Sequence, residues 1–300
     1  MQKPKIGSLL FTISVKNILG ENVLWHTEMS AIYWLDIEAA CLFRYQIFTH
    51  KIEKFSLPYR MASFAFSNKK DHIIAAFEHG IAEYNIESTK IHWIFKNNKP
   101  VQGNRFNDGR SDHQGRFWAG TMVEQRNSPE QHAKLYCIDH NLKCSTKIDH
   151  LTISNGLCWS KDGETLYHAD STEHTIFQYD FCKITGNIKN KKVFAKTSLD
   201  AFPDGSTVDE QNYLWNAQWG SGEIIRYDRF GQINLKLKLP VSNPSCVAIG
   251  GVALDWLIIT TAKHNLSEKA SANEPLAGDV FVYQLHNIKG LVEPKCTLMI

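Results

Sequence analysis

Several features that a 300-residue chain could carry are missing from this one. No apolar run approaches the length of a membrane span, and the short one at residues 9–15 lacks the small-residue cleavage site of a secretory leader. No charge of one sign dominates: 33 basic and 31 acidic residues are mixed throughout, for a net charge of +2, which leaves no basic stripe for nucleic acid or an anionic membrane surface. There is no cysteine framework either. The seven cysteines (Cys41, Cys137, Cys144, Cys158, Cys182, Cys246 and Cys296) are odd in number, far apart and free of any C-x-x-C pair. That argues against a disulfide scaffold or a zinc ribbon and for reduced, mostly buried thiols. Also absent are the G-x-S-x-G elbow, H-E-x-x-H, a P-loop and G-x-G-x-x-G, and helical patterns are few. These absences leave a soluble, cytoplasmic protein whose partners are small molecules, with neither nucleic acid nor a membrane to bind.

What is present is repetition. A unit of about 40–50 residues, the range of propeller blades, returns six times. Each copy has a short strand, a polar turn, an alternating strand and a further strand ending in an aromatic or a Tyr-Asp-like pair. The copies run 21–25, 32–36 and 41–45; 62–66, 72–77 and 80–84; 105–111, 116–121 and 134–139; 155–159, 165–170 and 175–180; 204–208, 213–217 and 223–228; 245–249, 256–261 and 279–283. Turns such as Asp112-x-x-Gly115 and Asp209-x-x-Asn212 place Gly or Asn where a positive φ is needed. With 43% hydrophobic residues the chain has material for a sizeable core. The pattern predicts an all-β fold, a six-bladed β-propeller, as one domain over residues 1–300. The strand-like segment at 8–15 precedes the first blade and is expected to add an outer strand to the last one. Trp34, Trp118, Tyr167 and Trp215 in the second strands, with Trp25, Phe66 and Trp159 in the first, are read as wedges between blades. Trp219, just past its strand, is the exception that could face a sugar.

In a closed ring, equivalent positions share one height and radius. Four residues before the end of each first strand stand Glu21, Ala62, Asn107, Asn155, Asp204 and Ser245. Glu21, Asn107, Asn155 and Asp204 are hard oxygen donors brought from distant points of the sequence, a set suited to a divalent cation such as Ca²⁺, Mg²⁺ or Mn²⁺ in the central channel. Gly109, Gly156 and Gly205 follow three of them closely and are expected to allow tight backbone turns beside the site.

The motifs Arg105-Phe-Asn-Asp-Gly-Arg110, Gly115-Arg-Phe-Trp-Ala-Gly-Thr-Met122, Ser154-Asn-Gly-Leu-x-Trp-Ser160, Pro203-Asp-Gly205 and Leu214-Trp-x-Ala-x-Trp-Gly220, continued by Gly250-Gly251 and Pro275-Leu-Ala-Gly278, resemble the senescence marker protein, gluconolactonase and regucalcin family. The resemblance spans nearly the whole chain. It implies a six-bladed propeller that hydrolyses sugar lactones with one divalent metal cation: Ca²⁺ first, with Mg²⁺, Mn²⁺, Zn²⁺ or Fe²⁺ as alternatives. It places Glu21, Asn155 and Asp204 on the metal ligands and Arg105 and Asn107 on substrate-binding positions. Glu124, in the shortened acidic stretch after Gly-Thr-Met, is the third substrate-binding candidate. The family's Gly-Glu-x-Pro-x-Trp opening reads Gly20-Glu-Asn-Val-Leu-Trp25 here.

The expected function is metal-dependent opening of an aldonolactone, such as glucono-, xylono- or arabinolactone, with Asp204 as the first candidate for general base and a metal hydroxide as the alternative, which the sequence does not separate. The alternative is a regucalcin-like calcium-binding or regulatory protein without significant turnover. Arg105 separates the two, because a cation site gains nothing from a nearby positive charge unless an oxygen-rich ligand is also held.

Overall fold

The computed structural model describes residues 3–96 and 101–299, and within them twenty-four strands build six four-stranded antiparallel sheets. β1 (Lys5–Ile13) leads into a first blade of β2 (Gly20–His26), β3 (Ala31–Asp36), β4 (Cys41–Gln46) and β5 (Lys51–Ser56). The second blade has β6 (Met61–Phe66), β7 (His72–Phe77), β8 (Gly80–Asn85) and β9 (Ile91–Lys96). β10 (Asn104–Ser111), β11 (Phe117–Val123), β12 (Ala133–Ile138) and β13 (Cys144–Leu151) form the third. β14 (Ser154–Trp159), β15 (Thr165–Asp170), β16 (Thr175–Cys182) and β17 (Asn187–Lys196) form the fourth, and β18 (Phe202–Val208), β19 (Leu214–Trp219), β20 (Glu223–Tyr227) and β21 (Ile233–Lys238) the fifth. The sixth has β22 (Pro244–Gly250), β23 (Trp256–Thr261) and β24 (Val280–His286), and takes β1 as its outer strand, with Thr12 opposite Phe281 and Ile13 opposite Val280. The fold is a six-bladed β-propeller. Its ring is locked by the N-terminal strand, which starts at Lys5 and stops at Ile13.

Burial follows from position in the blade. Innermost strands such as β6 and β14 are buried at every residue, because neighbouring blades cover both faces. Outermost strands such as β5 and β21 alternate between exposed and half-buried residues, and their lysines discourage edge-to-edge pairing with another chain. Trp34, Trp118 and Trp215 are fully buried between blades, each worth several kilocalories of apolar burial.

Two of those tryptophans are held by one repeated device. Asp112 Oδ1 accepts the N–H groups of Gln114 and Arg116, and its Oδ2 accepts from Trp118 Nε1 at 3.0 Å and Arg116 Nε at 2.6 Å. Asp209 does the same for Gln211, Tyr213, Trp215 Nε1 at 2.9 Å and Arg226 Nε at 2.8 Å. Gly115 and Asn212 sit at φ 84° and 64°, as these turns require.

The far end of the channel is crossed by the C-terminal segment. Glu293 pairs with Arg110 there at 2.7 Å, and Thr297 N donates to Gly115 O at 2.9 Å. Among the described residues no helix is long and apolar enough to cross a membrane.

Candidate active site at the channel mouth

Every innermost strand breaks its pairing register at or beside the aligned position: between Glu21 and Leu24, Met61 and Ser63, Phe106 and Gly109, Asn155 and Cys158, Pro203 and Ser206, and Pro244 and Cys246. An extra residue in one strand bends it and re-aims the side chains at the bulge. Four of these bulges present Glu21, Asn107, Asn155 and Asp204 to one space, whereas the second blade carries Ala62 and the sixth turns Ser245 onto Gly20 O. Gly156 does adopt a positive φ of 64°, but Gly109 and Gly205 do not. Those two are glycine for lack of room: a Cβ at Gly109 would stand 2.5 Å from Ser63 Oγ, and one at Gly205 2.6 Å from Cys246 Sγ.

The bulges open into a cavity of about 260 Å³ lined by Glu21, Arg105, Asn107, Asn155, Ser171, Asp204, His264 and Asn265, with apolar walls from Leu19, Met122, Ile153, Phe202 and Trp219. Glu21, Arg105, Asn107, Asn155 and Asp204, all expected from the sequence, are thus brought together around one cavity. Asn107 Nδ2 donates to Asn155 Oδ1 at 2.7 Å and to Ser154 O at 3.1 Å, while Asn155 Nδ2 donates to Ser171 Oγ at 2.8 Å, which in turn donates to Pro203 O. This chain fixes the amide so that its carbonyl oxygen faces the same space as the carboxylates.

Glu124 is placed elsewhere. It does not line the cavity, and its carboxylate is taken up by two guanidinium groups: Arg105 Nε at 2.8 Å, and Arg60 Nη1 and Nη2 at 2.9 and 3.0 Å. Arg60 is itself gripped by Glu38 and Glu78. Arg105, only 6% exposed, also donates from Nη1 to Phe106 O and Asn107 Oδ1, both at 2.9 Å. Glu124 and Arg60 thus act on the cavity through Arg105, at one remove.

The charges are unbalanced. Burial, and then repulsion from Asp108, push the Glu21 carboxyl up to about 8. Asp204 is pushed well above the carboxylate range by burial and then by Glu21 and Asp108. Asp108 is raised by burial, opposed by the N–H of Leu157, which donates to it at 2.8 Å. The residue had a visible mark in the sequence, being the Asp of Asn107-Asp108-Gly109, but the alignment of equivalent positions stops at Asn107. His264 and Asn265 come from the segment between β23 and β24, where the repeat pattern marks no position. Among the described residues no ion pair reaches Glu21 or Asp204. A half-buried carboxylate from Glu21, a buried one from Asp204 and a fixed amide oxygen, with no cationic side chain in contact, suit a hard divalent cation.

A profile of the SMP-30/Gluconolactonase/LRE-like region matches residues 19–263. The chain belongs to that family. It is 32% identical over 280 residues to L-arabinolactonase of Azospirillum brasilense, covering 93% of this chain and 92% of that one. It is 31% identical over 280 residues to 6-deoxy-6-sulfogluconolactonase of Pseudomonas putida, covering 93% and 94%. Among solved structures, a calcium-binding protein, regucalcin, of Agrobacterium tumefaciens superposes with a TM-score of 0.89 at 24% identity, covering 97% of this chain and 98% of that one, a likeness of fold.

Proposed function

We propose that this member of the family hydrolyses a sugar lactone to its aldonic acid, with one divalent cation, Ca²⁺ in the first instance, held by Glu21, Asn155 and Asp204. The observation that carries the reading is the joining of those oxygen donors and Arg105 on the wall of one small cavity. Its volume, about 260 Å³, lies below the usual range for drug-sized ligands and suits a single sugar ring. The two relatives named as lactonases support the same reaction class.

When bound, a divalent cation supplies Lewis-acid polarisation of a carbonyl and acidifies water. The chain's own residues orient the ring and handle the proton. Arg105 Nη2 has no partner among the described residues, so it is free to donate to a ring hydroxyl or to the carbonyl oxygen, while Glu124 and Asn107 fix the rest of the guanidinium. Asn107 Oδ1, which accepts one bond from Arg105 and keeps a second lone pair, adds short-range selection among hydroxyl positions. Trp219 and Phe202 offer flat apolar walls to the C–H face of a sugar. Asp204, made more basic by burial, takes the proton of the attacking water at its carboxylate. The calcium-binding alternative uses the same oxygens and leaves the Arg60, Glu124 and Arg105 relay without a task.

The test is acid release from a panel of aldonolactones, followed with a pH indicator above spontaneous hydrolysis, using chelated protein with and without added Ca²⁺, Mg²⁺, Mn²⁺, Zn²⁺ or Fe²⁺. Metal-dependent turnover is expected, and Asp204→Asn should abolish it and weaken cation binding together. Tight cation binding with background hydrolysis across the panel would favour the calcium-binding alternative. An Asp204→Asn protein with full turnover and metal content would remove Asp204 from both roles.

A further inference from the structure

Away from the cavity, the rim of the third blade gathers three potential ligands in a manner that its backbone enforces. His132 stands directly before β12, and Asp149 and His150 lie on β13. Ala133 pairs with Leu151 but Leu135 with Ile148, so Asp149 and His150 together oppose the single residue Lys134. This bulge holds His150 at φ 59°, a conformation where glycine or asparagine is cheaper, and turns both side chains toward His132. One ligand atom from each of the three lies within 4.8 Å of the others, and the two imidazole rings are 4.4 Å apart between centroids.

The hydrogen bonding of His132 defines what the cluster wants. Its Nδ1 is 2.9 Å from Glu130 O, an oxygen with no proton to give, so Nδ1 carries the hydrogen. Its Nε2 is 2.8 Å from Asp149 Oδ1. In a neutral ring that contact sets a lone pair against a carboxylate oxygen. A second proton relieves it, and so does a metal cation. An Nδ1–H tied to a backbone carbonyl with the Nε2 lone pair left for the ion is the usual setting of a metal-binding histidine. His150 supplies a second imidazole at the same place.

We propose that His132, Asp149 and His150 form a binding site for a borderline divalent cation of the Zn²⁺ type, separate from the channel donors. Two imidazoles and a carboxylate select zinc-like ions over Ca²⁺ or Mg²⁺, with water in the remaining position. Ligands at about 2.0–2.1 Å on a tetrahedral ion stand about 3.3 Å apart, so Asp149 and His132 part slightly and the exposed His150 swings inward. Lys134 Nζ lies 2.9 Å from Asp149 Oδ2 and places a positive charge nearby, while Oδ1 accepts the His150 N–H at 2.7 Å and offers its remaining lone pair to the ion. That charge limits the affinity. Because His132 closes the loop that starts at Glu124, a bound ion would fasten this loop to β13.

The experiment is a Zn²⁺ titration of the full chain, chelated and then saturated with Ca²⁺ to fill the channel donors, read by calorimetry and by the imidazole NMR signals of His132 and His150. One equivalent of Zn²⁺ should bind and shift both signals. His150→Ala and Asp149→Asn should weaken it by about tenfold or more with unchanged circular dichroism, since both residues are exposed. Lys134→Met should tighten it several-fold. Equal Zn²⁺ binding by wild type and both ligand variants, silent imidazole signals, or a Lys134→Met protein that binds no tighter overturns the assignment.

Discussion

Removing divalent cations should make the protein's stability fall as pH rises through neutrality, and adding Ca²⁺ should restore it most at the alkaline end. The reasoning starts from Glu21, whose carboxyl is moved from 4.5 to about 8 by burial and by Asp108. A folded-state pKa above the unfolded one means that the folded chain holds the proton more tightly. This contribution is fully present below about pH 4.5, is lost progressively between there and about 8, and is gone above it. Each tenfold gain in proton affinity corresponds to about 1.4 kcal/mol. Because Glu21 faces a cavity open to solvent, screening reduces the full value to about 2–3 kcal/mol. Asp204 moves in the same direction and adds to it. For a chain of this size that is a fall of about 3–5 °C in Tm between about pH 5 and pH 8. A cation that needs both carboxylates ionised competes with those protons, so its stabilisation grows as pH rises. The assay is thermal unfolding by circular dichroism across that window in chelator and in Ca²⁺, with a Glu21→Gln, Asp204→Asn double variant as the background for all other titrations. If chelated wild type and the double variant show the same pH profile, or if the Ca²⁺ increment does not change with pH, the account of the site as an over-crowded carboxylate pair is refuted.

Three further outcomes are expected. Glu124→Gln and Arg60→Met should each raise KM for a lactone substrate more than they lower kcat, because both residues hold Arg105 in place, and steady-state kinetics on one aldonolactone separates the two effects. Asp209→Ala strands Arg226, which is fully buried and pairs with Asp209 Oδ2 at 2.7 Å, and should cost about 3–5 kcal/mol in urea unfolding. Deleting residues 1–17 removes β1 and bares the edge of β24, so Tm should drop and self-association rise; an unchanged melting profile would show that the N-terminal strand does not lock the ring.

The ring and the wall of its cavity were legible for one reason: repetition. Once six copies are aligned, closure places Glu21, Asn107, Asn155 and Asp204 at one height without any knowledge of contacts, and the cavity does contain all four. What alignment cannot express is a bulge, because it assigns one residue to each register position. Between Phe106 and Gly109 two residues, Asn107 and Asp108, oppose the single Gly120, so a third carboxyl, after Glu21 and Asp204, enters the channel electrostatics beside the aligned amide. On β13 the same irregularity aims Asp149 and His150 at His132, and no periodicity in the sequence marks it. Glu124 was legible as a residue but not as a contact, since its partner Arg60 comes from just before the innermost strand of the second blade, 64 residues away. The glycines make the same point. Gly109 and Gly205 look like turn residues in the sequence, yet what excludes a side chain there is Ser63 or Cys246 on the adjacent blade. Local pattern therefore specifies which strands exist and which face the axis, whereas the chemistry at the axis is set by where each strand departs from regular pairing and by which neighbour fills the space that departure opens.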